Sequence, residues 1–192
     1  MKLSIFELAG GKRTILAGAP VGKNLLVNAI KALSALKPSA APIPLFLDFK
    51  GIEVVTASFV REAIVGLRNY CRNADTAFYP VIANAIEVVD EEIKHELNYR
   101  GEALIICKLD AKGNASAVRL VGKIEEKQKL TFDAVQRLKQ ADAATLMELF
   151  KQTETIGITG WNNRLSSLAA KSLLVETKRG KTKVYNPILE LN

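Results

Sequence analysis

Residues 45–67, LFLDFKGIEVVTASFVREAIVGL, run through a strand pattern, a polar turn and an amphipathic helix in that order, which restricts the chain to folds that pack helices on a sheet. Residues 45–49 are an apolar run behind Pro38, Pro42 and Pro44, as expected of a strand entering a covered sheet. Lys50 and Gly51 break the run, and residues 52–55 close it with β-branched side chains. Thr56 and Ser58 then offer hydroxyl caps for a helix beginning near Phe59. Phe59, Val60, Ala63, Ile64, Leu67, Tyr70 and Cys71 draw one apolar stripe, with Arg61, Glu62, Arg68 and Arg72 off it.

The flanking segments extend this pattern. Residues 3–9 and 14–17, separated by Gly10 and Gly11, read as a hairpin, and residues 23–36 as a helix with Leu25, Leu26, Ala29, Ile30, Leu33 and Leu36 on one face. Residues 77–83 form a second strand, which Pro80 assigns to an edge, a bulge or a strand start. Asn84 is placed to cap a helix carrying Ile86, Val89, Ile93 and Leu97, and Gly101 ends it. Residues 102–109 and 115–121 are strands joined by a turn at 112–114. The order predicts an α/β (α+β) domain with a mixed sheet over residues 1–121.

From residue 122 the character changes. Residues 122–130 are charged, with few apolar side chains, and read as a linker. Residues 131–192 then read as a second, mainly helical domain. A helix carries Phe132, Val135 and Leu138, and another, from Ala144 to Phe150, is capped by Asp142. Gly157 and Gly160 bracket a turn before a third helix with Trp161, Leu165, Leu168 and Ala169. A hairpin with Lys178, Arg179, Gly180 and Lys181 at its tip closes the domain.

Several function classes find no support. No stretch approaches the roughly 18 apolar residues of a membrane span, and Glu7, Lys12 and Arg13 interrupt any secretory core at the start. Cys71 and Cys107 lack metal or redox spacing and read as buried thiols of a cytoplasmic protein. The segment GAPVGKN at 18–24 has glycines but not the spacing or the hydroxyl residue of a phosphate-binding loop. His95 has no ligand or triad partner at a useful spacing, and Asp90, Glu91, Glu92 and Glu96 read as a solvated helix face. The expectation is a protein with no enzymatic activity, no cofactor, no metal and no membrane partner. Asp48, at the end of its strand, reads first as a structural hydrogen-bonding group and second as a catalytic one.

Charge is informative through its placement. The net charge is +7, and between residues 159 and 185 Arg164, Lys171, Lys178, Arg179, Lys181 and Lys183 face only Glu176.

With LDFKGIEVVTASF at 47–59, the first domain resembles the STAS-like domain family of unknown function, and more distantly the STAS domains of anti-sigma-factor antagonists. Leu47, Asp48, Phe49, Gly51, Ile52, Ser58 and Phe59 carry the resemblance. It implies a loop that docks a protein partner such as a histidine-kinase-like ATPase, with Asp48, Lys50 and Thr56 on the docking loop. Ser58 reads first as a helix cap; it also aligns with the phosphorylated residue of the antagonists, and the two roles are compatible.

ATLMELFKQT, GITGWNNRLSSLAAKSLL and the KRGK tip are similar to the winged helix-turn-helix of bacterial transcription regulators. This implies double-stranded DNA as partner, and a homodimer on paired half-sites. Trp161, Asn162, Asn163 and Arg164 would lie early in the recognition helix, with an Asn reading adenine and Arg164 reading guanine or a phosphate. Lys178, Arg179, Lys181 and Lys183 would meet backbone phosphates. A solvated charged surface and a protein-binding winged helix are the competing readings of these residues.

Overall fold

The computed structural model describes residues 1–37, 39 and 41–191. Pro38, the first proline before the central strand, lies outside the described residues, as do Ala40 and Asn192. The chain divides into two compact units, Met1–Lys123 and Ile124–Leu191.

The first unit is mixed α/β. In chain order it contains β1 (Lys2–Ser4), α1 (Ile5–Leu8), β2 (Ile15–Leu16), α2 (Ala19–Ser34), β3 (Ile43–Asp48), β4 (Val54–Val55) and α3 (Ala57–Val60). A π-helical turn, Arg61–Val65, follows, then α4 (Gly66–Asn73), β5 (Phe78–Ala83), α5 (Glu87–Arg100), β6 (Ala103–Leu109) and β7 (Ala115–Gly122). Among the described residues the main sheet is five-stranded, ordered β1-β3-β5-β6-β7. The first four strands are parallel and β7 returns antiparallel to β6.

Alternation of side chains along the strands defines the core. Leu3, Leu45, Leu47, Ile82, Leu104, Ile106 and Val121 share one cluster with Leu25, Ala29 and Leu33 of α2, Phe59, Ile64 and Leu67, and Val89, Ile93 and Leu97 of α5. The helices therefore pack on one sheet face. Gly22 makes their approach close, since a Cβ there would lie 2.9 Å from the Phe59 carbonyl oxygen and from Glu62 Cβ. The π turn takes part in this contact through Glu62. Leu67 and Cys71, beyond the turn, keep the expected apolar stripe buried. Arg68 is buried and makes two hydrogen bonds, of 2.8 and 2.9 Å, to Glu102.

Several expectations are corrected here. The chain does not form a hairpin over residues 3–17: Ser4 caps α1, and β2 pairs instead, in parallel, with β4. The helix read from residue 23 starts at Ala19, where Pro20 suits the first turn. Pro80 lies in a central strand, tolerated because the ladder to β6 begins only at Val81. Asp90 pairs with Arg119 and Glu96 is buried beside Arg100, so the acidic face of α5 is partly engaged.

The second unit is built from α6 (Glu126–Leu138), α7 (Ala143–Leu149), α8 (Ile158–Ala170), β8 (Leu174–Arg179) and β9 (Thr182–Pro187). Helix α6 begins at Glu126, so most of the segment read as a linker is its first turns. Asp142 caps α7 as expected, accepting the Thr145 N–H at 2.8 Å. Helix α8 starts after Gly157, three residues earlier than the expected start at Trp161. Phe132, Val135, Leu146, Trp161, Leu165, Leu168 and Tyr185 are buried. Ala141 joins the hairpin edge through reciprocal backbone bonds with Tyr185 of 3.0 and 2.8 Å. Among the described residues no helix is long and apolar enough to cross a membrane.

Candidate functional site

Burial sorts the residues of α8 into two faces. Trp161 has no exposed surface; it stacks on Phe150 at 5.3 Å between ring centroids. Arg164 lies over the Trp161 ring, 4.9 Å from its centroid, and donates to Glu154 at 3.0 Å. Glu154 also accepts from Lys127 at 2.6 Å, and the two cations hold its carboxyl below the usual range, Lys127 contributing most. Both Trp161 and Arg164 are thereby withdrawn from the base-reading set. Their i, i+3 spacing keeps them on the packed side of the helix.

Asn162 is half-buried and Asn163 exposed. Among the described residues neither side-chain amide has a hydrogen-bond partner. Asn162 and Ser166, one turn apart, line a groove of about 520 Å³ together with Asp142, Ile158, Lys181 and Lys183. The start of α7, the outward face of α8 and the hairpin thus meet on one surface. Asp142 brings a full negative charge to it. The Thr145 N–H holds its carboxyl low by stabilising the anion, which also satisfies the amino end of α7.

The hairpin turns through Gly180, φ +61°, at the first position of a two-residue turn between Arg179 and Thr182. Lys178, Arg179 and Lys181 are exposed and, among the described residues, have no ion-pair partner. Lys183 differs. Its ammonium lies 2.8 Å from Glu176, which raises its pKa and offsets its charge. Glu176 also accepts from the Tyr185 hydroxyl, which sits 3.0 Å from Ser166 Oγ.

In the first unit the proposed docking residues separate into two places. Thr56 is the helix cap, receiving the Gly18 and Phe59 N–H groups at 3.0 and 3.4 Å. Ser58 is therefore not the cap: it lies in the first turn, with Oγ 3.2 Å from Thr56 Oγ1, and is half-buried. Asp48 and Lys50 belong to a separate cleft. Asp48 is buried and accepts from Lys50 N–H at 3.1 Å and Asn84 Nδ2 at 2.8 Å, with Lys2 Nζ at 3.3 Å. Burial pushes its pKa up, but these donors outweigh it and hold the carboxyl below its ordinary value.

Lys2, Asn84 and Ser166 are site residues that sequence reasoning did not reach. Asn84 was expected to cap α5; instead its backbone adopts φ +55° and its side chain bridges Asp48 to the Leu109 N–H at 2.9 Å. A polar residue directly after an apolar strand was the available signal. Burial raises both thiols to about 11, so Cys71 and Cys107 stay protonated at neutral pH. Among the described residues no three His, Cys, Asp or Glu side chains gather as metal ligands. No protein-family model matches the chain, and a search of curated proteins gives no match either.

Proposed function

We propose that residues 124–191 are a winged helix that binds double-stranded DNA, with α8 as recognition helix and the β8–β9 hairpin as wing. The chain as a whole is then a non-enzymatic bacterial transcription regulator, in which residues 1–123 form a STAS-like domain that receives a signal or a partner. One observation carries this reading. Asn162, unpartnered among the described residues, lines one groove with the amino end of α7 and with Lys181, a hairpin cation that has no ion-pair partner among the described residues. Such a surface offers an amide for base edges beside a cation for phosphates, the division of labour that duplex recognition needs. The order α6, α7, α8, hairpin, with Ala141 bridged to the hairpin edge, supports the winged-helix assignment.

Asn162 is the assigned adenine reader, and a bidentate pair of this kind contributes about 1–3 kcal/mol of discrimination. Arg164 positions α8 and touches no base. The test is fluorescence anisotropy of the full chain against a selected duplex. Asn162→Ala should relax discrimination at one base position while the fold, read by circular dichroism, is retained. Equal binding of all duplexes by the parent and by Asn162→Ala would remove the base-reading role.

A second reading, a module docking a histidine-kinase-like ATPase, draws on Ser58. A phosphate there would place close to two negative charges at a helix amino end and displace the Ser58–Thr56 hydroxyl contact. Phosphorylation of Ser58 by a co-purified ATPase, with no retention on DNA, would favour it.

A further inference from the structure

The first unit holds a half-open cleft of about 600 Å³ at the carboxyl ends of its parallel strands. Its floor is Phe46, paired with Lys2 across β1 and β3, and one wall is the turn that follows Leu109 between β6 and β7. This volume lies within the roughly 300–1,000 Å³ of small-molecule sites, and strand carboxyl ends are where open α/β sheets place ligands.

The charges of the cleft do not cancel locally. Asp48 is compensated by Lys2, the Lys50 N–H and Asn84. Asp110 accepts from the Lys112 and Asn114 N–H groups and from Asn114 Nδ2, each at 2.8 Å, neutral donors that leave its negative charge in place. Lys50 and Lys112 line the same cleft and, among the described residues, their ammonium groups have no carboxylate partner. The cleft therefore combines a lining of net positive charge, three lysines against two aspartates, with an apolar floor and wall from Phe46 and Leu109.

Its frame is also held in advance. Asn84 occupies the left-handed region, at φ +55°, and ties the end of β3 to the end of β6 through its two side-chain bonds. A non-glycine residue kept in that conformation by such bonds marks a locally over-determined site. We propose that this cleft binds a small organic anion, a carboxylate or phosphate ester. Its charged group sits between Lys50 and Lys112, and its apolar body lies over Phe46 and against Leu109. Asp48 and Asn84 build the frame and do not contact the charge. The proposal stands whether or not the second unit binds DNA.

Nitrogen-15 NMR of the full chain, titrated with phenyl phosphate, inorganic phosphate and phenol, tests it. Phenyl phosphate should shift the amides of Lys50, Asn84, Leu109 and Gly113 with saturation. Inorganic phosphate should act on the same amides at several-fold higher concentration, and phenol should leave them in place. In the double variant Lys50→Ala, Lys112→Ala the phenyl phosphate affinity should fall at least tenfold, while Lys31→Ala, an exposed lysine on α2, should bind as the parent does. A scattered, non-saturating response to phenyl phosphate overturns the proposal, and so does unchanged affinity in the double variant.

Discussion

Replacing Lys178, Arg179 and Lys181 together by alanine isolates the electrostatic part of the account. These three side chains are exposed and lack ion-pair partners among the described residues, so each is available to neutralise one phosphate. Counterion release gives a slope of roughly −0.9 in log affinity against log salt per phosphate, so removing three contacts should flatten the slope by about 2.7. Between about 50 and about 200 mM salt the parent should lose about 40-fold more affinity than the triple variant. Lys183 is the internal control. Because Glu176 lies 2.8 Å from it, Lys183→Ala should change the slope by less than one phosphate contact, and Glu176→Gln should steepen it. Anisotropy titrations of one labelled duplex at four salt concentrations supply the slopes. Equal slopes for parent and triple variant would refute the assignment of the hairpin to phosphate contacts.

Other outcomes follow from the interior. Arg68→Ala leaves the Glu102 carboxylate without its bidentate partner, and should cost about 3–5 kcal/mol of first-unit stability in urea titrations. Trp161→Ala should cost about 3–5 kcal/mol in the second unit. Arg164→Ala should lower the second unit's melting temperature without changing base preference, measured by calorimetry and duplex selection. Asp48 has a depressed folded-state pKa, so its stabilising contribution is present above the ordinary carboxylate range, near about 4. That contribution is lost as pH falls through the lower folded value, and Asp48→Asn should remove this part of the acid dependence of unfolding. Cys71 and Cys107, buried and with pKa values near about 11, should resist iodoacetamide at pH 8 until denaturant is added, as mass spectrometry would show.

The alternation of strands and helices is legible in the sequence because each long element carries a clear period. Leu45, Leu47, Val89, Ile93 and Leu97 declare their buried faces by spacing alone. The short pieces are not legible. Two residues each of β2 and β4 cannot show a period, and their parallel pairing across 39 residues of sequence leaves no local trace. Arg68 reads as lying off the apolar stripe, and its burial rests on Glu102, a partner 34 residues away that no local pattern shows. In α8, sequence alone assigns Trp161 both to the apolar stripe and to the exposed tip. Its spacing of four and seven from Leu165 and Leu168 favours the stripe, and burial decides it. Arg164 goes with Trp161, leaving Asn162, Asn163 and Ser166 outward. The Asp48 cleft is invisible in the sequence for a different reason: Lys2, Asp48, Asn84 and Lys112 are gathered by the sheet order, which no single segment encodes.

The central claim is that the outward face of α8 and the hairpin tip contact duplex DNA, and mapping that contact on the intact chain tests it most directly. Nitrogen-15 spectra recorded during titration with a selected duplex should show the largest amide shifts at Thr159, Asn162, Asn163, Ser166 and residues 178–181. The Trp161 indole, packed against Phe150 and Arg164, should move little. Saturating shifts confined to residues 1–123, or no shifts at any duplex concentration in low salt, would contradict the account.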